Sequence, residues 1–440
     1  MRWKSLALVA AVGSLPFQGL AQTAPARPLP APAAKPPAAP PSQGQDRLGP
    51  LPQPAAEAPA PVELPPLVWQ VADAQDLLAF IKGIAAEGLD PLDYDPAGLE
   101  LAIRSGDPLA MSKAATDRFN KVSTDLALGH VRGEARQGWH VVDKDLDEAR
   151  QRQMLEAALA TRRVPAVLQS LLPTHPQYGF LKAALAATPA TETAKINRIR
   201  LNMDRWRWLP RDLGNKYIIV NVPAFYATLV ENGTTRWKQR AIAGAIKTPT
   251  PQLSALATGV ILNPWWEVPK SIEPEVRGKA GFVPVKGKDG KIQRWRQPPG
   301  PTNALGQMKM VMPNQWAIYL HDTNARSRFN SQVRALSHGC IRTEHIHDLA
   351  AELGSDDGGE WTREKIDEVL ASKKTVEAKF VKPVPVYIVY FSAAALNDGR
   401  IVSYQDLYKR DPKVLAALLD RKGLGPKPQT KTAGTKTAAR

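Results

Sequence analysis

The chain has 440 residues, enough for two or three domains, and its 43% hydrophobic content is that of a protein with a packed core. Its 58 Lys and Arg against 42 Asp and Glu leave a net charge of +16, which favours anionic partners such as nucleic acid, acidic glycans or a membrane surface. A single cysteine, Cys340, excludes an internal disulfide framework.

Met1 to Lys4 form a short basic region, Ser5 to Phe17 an apolar core too short to span a bilayer, and small residues near Ala21 offer a cleavage point. Residues 1–21 therefore read as a secretory signal. No later stretch has the apolar length of a membrane helix, so the mature chain is expected outside the cytoplasm with no integral span. Nuclear and cytoplasmic nucleic-acid roles lose most of their weight. Residues 22–66 are rich in Pro and Ala, cannot bury a core, and are expected as an extended, disordered spacer.

From 67 to 187 the apolar period is helical, with Leu77, Leu78, Ile81 and Ile84 on one stripe, Asp73 as its N-cap and Gly88 as its stop. His130, His140 and His175 lack ligand spacing and read as ordinary surface or core histidines. "ATPATETA" (Ala187 to Ala194) reads as a hinge. Beyond Pro210 the period becomes two, predicting strands at 216–222, 224–230, 236–244, 258–264, 316–321 and 385–391, with an Asn232-Gly233 hairpin turn. The fold class is α+β: an all-α domain, then a mainly-β domain over 196–395. A C-terminal extension (396–420) and a basic, disordered tail (421–440) follow.

"RWRW" (Arg205 to Trp208) alternates cations and aromatics, as single-stranded nucleic-acid platforms do. In an exported chain, a helix end packing on the β domain is the better reading.

The chemistry concentrates in "LSHGCIRTEHIH" (Leu336 to His347). Gly339 permits a tight turn. Thr343 is a plausible N-cap for a helix with Ile346, Leu349, Ala350 and Leu353 on its apolar face and Gly354 at its end. That would set Cys340 just before a helix N-terminus, where the dipole and free N–H groups favour a thiolate and an adjacent oxyanion. His321 ends a predicted strand upstream and is the expected base, raising the thiolate fraction; His338, two residues from Cys340, is expected to shape the site. A zinc site fails because His345 and His347 diverge by about 200° on a helix, so no metal and no cofactor is expected.

His321, an interval of fifteen residues and "SHGCIR" (Ser337 to Arg342) are together similar to the signature of the bacterial L,D-transpeptidases of cell-wall peptidoglycan. "NPWWEVP" (Asn263 to Pro269), "RQPPGPTNALG" (Arg296 to Gly306) and "EGLDPLDYD" in the helical part resemble the large Gram-negative branch with an N-terminal scaffold domain. The resemblance implies a mainly-β catalytic domain with a flexible flap at about 265–306. Its activity would be attack of Cys340 on the third residue of a tetrapeptide stem, release of D-alanine, and a third-to-third crosslink to a neighbouring stem. It also implies His321 as base, Gly339 and Cys340 N–H groups as oxyanion donors, and Tyr319, His338, Asp322 and Ser337 around the cleft. Asp322 would orient His321 through its main-chain carbonyl or its side chain. Arg342, Trp266 and Asn303 would bind substrate, Trp265 and Trp266 being equally suited to strand packing. Donor and acceptor stems and other cell-wall synthases are the implied partners, with the periplasm as location and carbapenems as acylating agents. A carboxypeptidase or hydrolase on the same fold, and a non-catalytic wall-binding scaffold, are the competing readings. The branch's peptidoglycan-binding module is absent between "LKAALAA" and "INRIRLNMDRW", so wall affinity would fall to the cleft, the basic surface or the tail.

Overall fold

The computed structural model describes residues 67–142, 145–396 and 398–420. The signal-like segment, the spacer and the basic tail lie outside the described residues. Those described fall within one compact unit, Leu64–Arg440.

Among the described residues, the first five α-helices are α1 (Val71–Gly83), α2 (Pro96–Arg104), α3 (Pro108–Leu128), α4 (Glu148–Thr161) and α5 (Val164–Gln169). They bury one core, including Leu77, Ile81, Leu99, Phe119, Leu126 and Leu168. Proline in the first turn and an aspartate cap start α2 and α3, with Asp95 accepting from the Gly98 N–H and Asp107 from those of Leu109 and Ala110. Asp73 is not a cap. Gln70 holds that position in α1, and Asp73 sits buried inside the first turn, while Gly88, at φ +76°, ends the short 3-10 turn that follows α1.

Helices α6 (Pro176–Ala187) and α7 (Thr193–Trp206) pack against the β part, sharing a core in which Tyr178, Leu181, Ile199 and Met203 meet Tyr217, Tyr387, Val389 and Phe391. The segment read as a hinge is thus an exposed bend joining two helices that share one core. At the end of α7, Arg205, Trp206, Arg207 and Trp208 are all buried. Arg205 pairs with Asp411 at 2.7 Å, Arg207 donates to the Tyr178 hydroxyl at 2.6 Å, and the Trp208 indole donates to Asp204 at 2.9 Å. Burying these cations is tolerable only with such partners, and it leaves no stacking platform for bases.

Nine strands form the main sheet: β1 (Lys216–Asn221), β2 (Tyr226–Glu231), β3 (Thr234–Gly244), β4 (Leu253–Leu262), β8 (Met308–Val311), β9 (Leu320–His321), β10 (Ala335–Ser337), β11 (Ile341–Thr343) and β12 (Val376–Val389). Their order is β10-β3-β11-β9-β8-β4-β12-β1-β2, and β2 also pairs with β3, so the sheet closes on itself around Ile218, Val260, Met310, Leu320, Ile341 and Ile388. Asn232 and Gly233 both have positive φ, the geometry of the tight hairpin their sequence predicts. Helices α9 (Ile346–Gly354) and α10 (Arg363–Ser372) follow β11.

Between β4 and β8, the expected flap is a folded body rather than a flexible loop. Strands β5 (Trp266–Glu267), β6 (Val283–Lys286) and β7 (Ile292–Gln297) make a three-stranded sheet beside the one-turn helix α8 (Glu273–Val276). Val268, Ile272, Val276 and Trp295 give it a small core of its own. At the C-terminal end, β13 (Ala393–Ala395) and β14 (Ile401–Ser403) pair across position 395, and α11 (Asp411–Leu419) packs with Val131, Leu201 and Trp208. Residues 398–420 are therefore integral to the packed body. Among the described residues, no helix is long and apolar enough to cross a membrane.

Candidate active site

Strands β9 and β11 run parallel, with Ile341 beside Leu320 and Arg342 beside His321, and the Ile341 N–H donates to the Tyr319 carbonyl at 3.0 Å. This register brings Cys340, immediately before β11, to the same cleft as His321. The cleft, of about 390 Å³, is lined by Trp266, Leu305, Lys309, Trp316, Tyr319, His321, Ser337, His338, Cys340 and Arg342 among others.

The helix expected directly after the cysteine is displaced. Strand β11 occupies Ile341–Thr343, His345 adopts a left-handed φ of +49°, and α9 begins only at Ile346. Thr343 is fully buried in the strand and caps nothing. Pairing of Ile341 to Thr343 with β9 and β3 outweighs the local cap, so no helix dipole acts on Cys340. The strand expected at 316–321 is likewise reduced to Leu320–His321. Asn314 folds back, accepting from the Trp316 and Ile318 N–H groups and donating to the Met312 and Ile318 carbonyls, and Ala317 is forced to φ +51°.

The Cys340 thiol donates weakly to the Ala317 carbonyl at 3.6 Å. Burial pushes its pKa up, against the opposing pull of Tyr319, Lys309 and Arg342. His321 is 5% exposed, and burial, assisted by the Arg342 charge, lowers its pKa to about 3, with main-chain contacts at Asp322 and Leu305 opposing. Its Nδ1 is buried with no hydrogen-bond partner among the described residues. Both shifts favour a neutral thiol and a neutral imidazole at rest, opposite in direction to the raised thiolate fraction that the sequence led one to expect.

Cations frame the thiol. Lys309 lies over the Tyr319 ring at 4.7 Å and burial lowers its pKa; burial also lowers that of Arg342, whose Nε has no partner among the described residues. Tyr319 itself stays a neutral phenol, its pKa raised by burial and then by Cys340. Ser337 accepts from the Gly339 N–H at 3.1 Å and donates to the Cys340 carbonyl at 2.6 Å. Gly339's N–H is therefore already engaged and does not face the cleft as a free donor. His338 reaches across to the flap, its Nε2 lying 3.1 Å from Glu275 in α8.

Asn303 lies elsewhere, and Asp322 meets His321 through its main chain rather than its side chain. The Asp322 carboxylate turns away from His321, accepting from the Gln307 N–H at 2.9 Å and from Arg326 at 2.8 Å on the far side of β9. Asn303 is fully buried and donates to the Pro264, Gln297 and Pro298 carbonyls while accepting from the Leu305 N–H at 2.8 Å. It staples both roots of the flap and has no free group for substrate. Trp266 does line the cleft, packing edge-on against Phe282, and Trp265 stacks under Arg296 at 4.1 Å. Lys309, Leu305 and Trp316 were missed. Alternation in β8, with Met308 and Met310 buried on the barrel side, was the one available signal that Lys309 faces the other way.

Residues 215–377, from the start of β1 to the start of β12, match the L,D-transpeptidase catalytic domain family. The match assigns residues 215–377, rather than the whole chain, to the L,D-transpeptidase catalytic domain family. Residues 66–185 match the Scaffold domain family, so the L,D-transpeptidase domain is preceded by a helical region of recognised type. A Haemophilus influenzae protein named "Putative L,D-transpeptidase" is 30% identical over 253 residues, 51% of this chain and 50% of that protein. The chain thus spans about half the length of this curated relative. Among solved structures, an L,D-transpeptidase from Mycobacterium smegmatis is 15% identical over 40% of this chain and 58% of that one, with a TM-score of 0.21. One from Mycobacterium tuberculosis is 12% identical over 40% and 57%, with the same TM-score of 0.21.

Proposed function

We propose that the protein is a periplasmic peptidoglycan L,D-transpeptidase that forms third-to-third crosslinks through a Cys340 thioester. The observation that carries this reading is the thiol and the buried, unpartnered Nδ1 of His321 lining one cleft between Lys309 and Arg342, inside an L,D-transpeptidase catalytic domain. Peptide stems carry carboxylates, and the two cations supply the complementary charge, Arg342 with a donor to spare.

In this mechanism Sγ bonds to the carbonyl carbon of the donor's third residue while its proton passes to His321 Nδ1. The neutral imidazole is the form required of a general base. The oxyanion collapses, His321 returns the proton to the departing D-alanine amine, and a thioester remains. An amine of the acceptor stem then attacks the thioester and loses its proton to His321, and Sγ leaves as the new amide forms, taking that proton back to restore the thiol and the neutral imidazole. Trp266 and Leu305 on the flap side exclude water that would otherwise take the acyl group.

The test is mass spectrometry of products after incubating residues 22–440 with purified disaccharide-tetrapeptide, beside Cys340→Ala. Crosslinked dimers lacking one D-alanine, lost in the variant, support the proposal. Tripeptide alone would replace it with a hydrolytic activity, and no product from folded protein would overturn it.

A further inference from the structure

Cys340 is held from outside its motif. Thr250, fully buried in the loop between β3 and β4, donates through Oγ1 to the Gly339 carbonyl at 2.7 Å and accepts the Gly244 N–H at 2.9 Å. Ser337 already binds the Gly339 N–H and the Cys340 carbonyl. Of the main-chain polar groups of Gly339 and Cys340, the Cys340 N–H alone has no acceptor among the described residues.

We propose that Thr250 is a positioning residue that aims the Cys340 N–H into the cleft as the oxyanion donor. The Gly339 carbonyl and the Cys340 N–H are opposite ends of one planar trans peptide, so drawing the carbonyl inward to Thr250 turns the N–H outward. Gly339, at φ +118°, gives the turn little stiffness of its own, which makes an external tether necessary. A donor misaimed by a fraction of an ångström stabilises the oxyanion less, because its value lies in being fixed before charge develops.

The tether is itself anchored by parts of the chain outside the matched catalytic span. Tyr408 accepts the Thr250 N–H at 3.2 Å and donates to the Gly244 carbonyl at 2.6 Å, and Arg410 donates to the Thr250 carbonyl at 3.2 Å. Two residues on, Gln252 exchanges main-chain bonds with Gly138 and His140 of the helical part, at 2.7 and 2.8 Å. The loop packs so closely that a Cβ on Gly244 would meet the Thr248 carbonyl at 2.2 Å. Scaffold and C-terminal extension therefore both bear on the residue that orients the catalytic peptide.

This inference rests on the acyl-transfer reading above. Its test compares two reactions of the same thiol in full-length protein: acylation by imipenem, which passes through an oxyanion, and alkylation by iodoacetamide, which displaces iodide and forms none. Thr250→Val is expected to slow acylation about ten- to a hundredfold while alkylation stays within about twofold, and Thr250→Ser to restore acylation. Tyr408→Phe, which loosens the loop but keeps the Thr250 hydroxyl, is expected to slow acylation by a few fold against unchanged alkylation. Acylation at the wild-type rate in both Thr250→Val and Tyr408→Phe, or acylation and alkylation falling together, overturns the proposal. Failure of the wild-type protein to acylate at Cys340 removes the acyl-transfer reading itself, a distinct outcome.

Discussion

The two walls of the cleft are built on different plans. On one side, the Ser337–Cys340 turn is tied to its surroundings by bonds from Ser337 and Thr250, and His321 is sunk between β8 and β11. On the other, the flap carries its own three-stranded sheet and core and is stapled at its roots by Asn303. The first plan leaves the Ser337–Cys340 turn little freedom of direction. The second lets a lid keep its shape while its attachment to the opposite wall is limited to contacts such as His338 with Glu275. Fixed chemistry and a movable cover demand these opposite solutions.

The largest break in the comparison is expected at the fixed wall. His321→Gln removes the buried imidazole that lines the cleft with Cys340, and on the proposed mechanism imipenem acylation should fall about 10²- to 10⁴-fold with little change in flap integrity. A variant acylating within about threefold of wild type would show that Cys340 acts without this base.

Next come the two staples. Ser337→Ala strands the buried Gly339 N–H and Cys340 carbonyl, and Asn303→Ala strands carbonyls at Pro264 and Pro298 together with the Leu305 N–H. Each should cost about 1–3 kcal/mol in urea unfolding. They should separate in kinetics: Ser337→Ala lowers kcat, whereas Asn303→Ala, by loosening the flap roots, raises KM for the tetrapeptide and leaves iodoacetamide alkylation near wild type. The same kinetic signature in both would mean that the walls are not independent.

How much of this was legible follows from where the information lies. Helical stripes such as Leu77 and Ile81, the Asn232-Gly233 turn and the β1 run are local signals, and they appear as read, whereas β12 begins at Val376, well before the expected 385–391. The motif around Cys340 pointed to the cleft because its residues are consecutive. The helix start after Thr343 was misplaced because a capping signal competed with β11 pairing, which only tertiary partners reveal. Asn303 was misassigned for a similar reason: an exposed-looking amide in a Pro and Gly segment is in fact saturated by the flap roots. Thr250 was invisible, since it reaches Gly339 across 89 positions with no periodic pattern around it.

Acid should sharpen the contrast by a smaller amount. His321 and His175, the latter stacked on Trp206 at 4.2 Å, are buried neutral with pKa values lowered by burial from 6.5 to about 3 and about 4. Above 6.5 both are neutral in folded and unfolded chains, so stability is unaffected. As pH falls from 6.5 toward 4 the unfolded chain takes up protons the native one refuses, and stability is lost by up to about 1.4 kcal/mol per pH unit for each group. Urea unfolding of His321→Gln should show a shallower slope by one proton. An unchanged slope would mean that His321 is protonated in the native cleft, and with it the neutral-base mechanism would fail.

The smallest effect is expected where the walls touch. The His338 and Glu275 side chains are 47% and 55% exposed, so their contact is screened and worth well under 1 kcal/mol. Its value is kinetic. The contact ties the flap to the opposite wall, so it should slow iodoacetamide entry by no more than about twofold. Glu275→Ala removes the partner of His338 and should speed alkylation of Cys340 by that factor. If the variant alkylates at the wild-type rate, the gate to Cys340 is set by the flap's own core and its Asn303 roots. The two walls would then meet without an electrostatic latch.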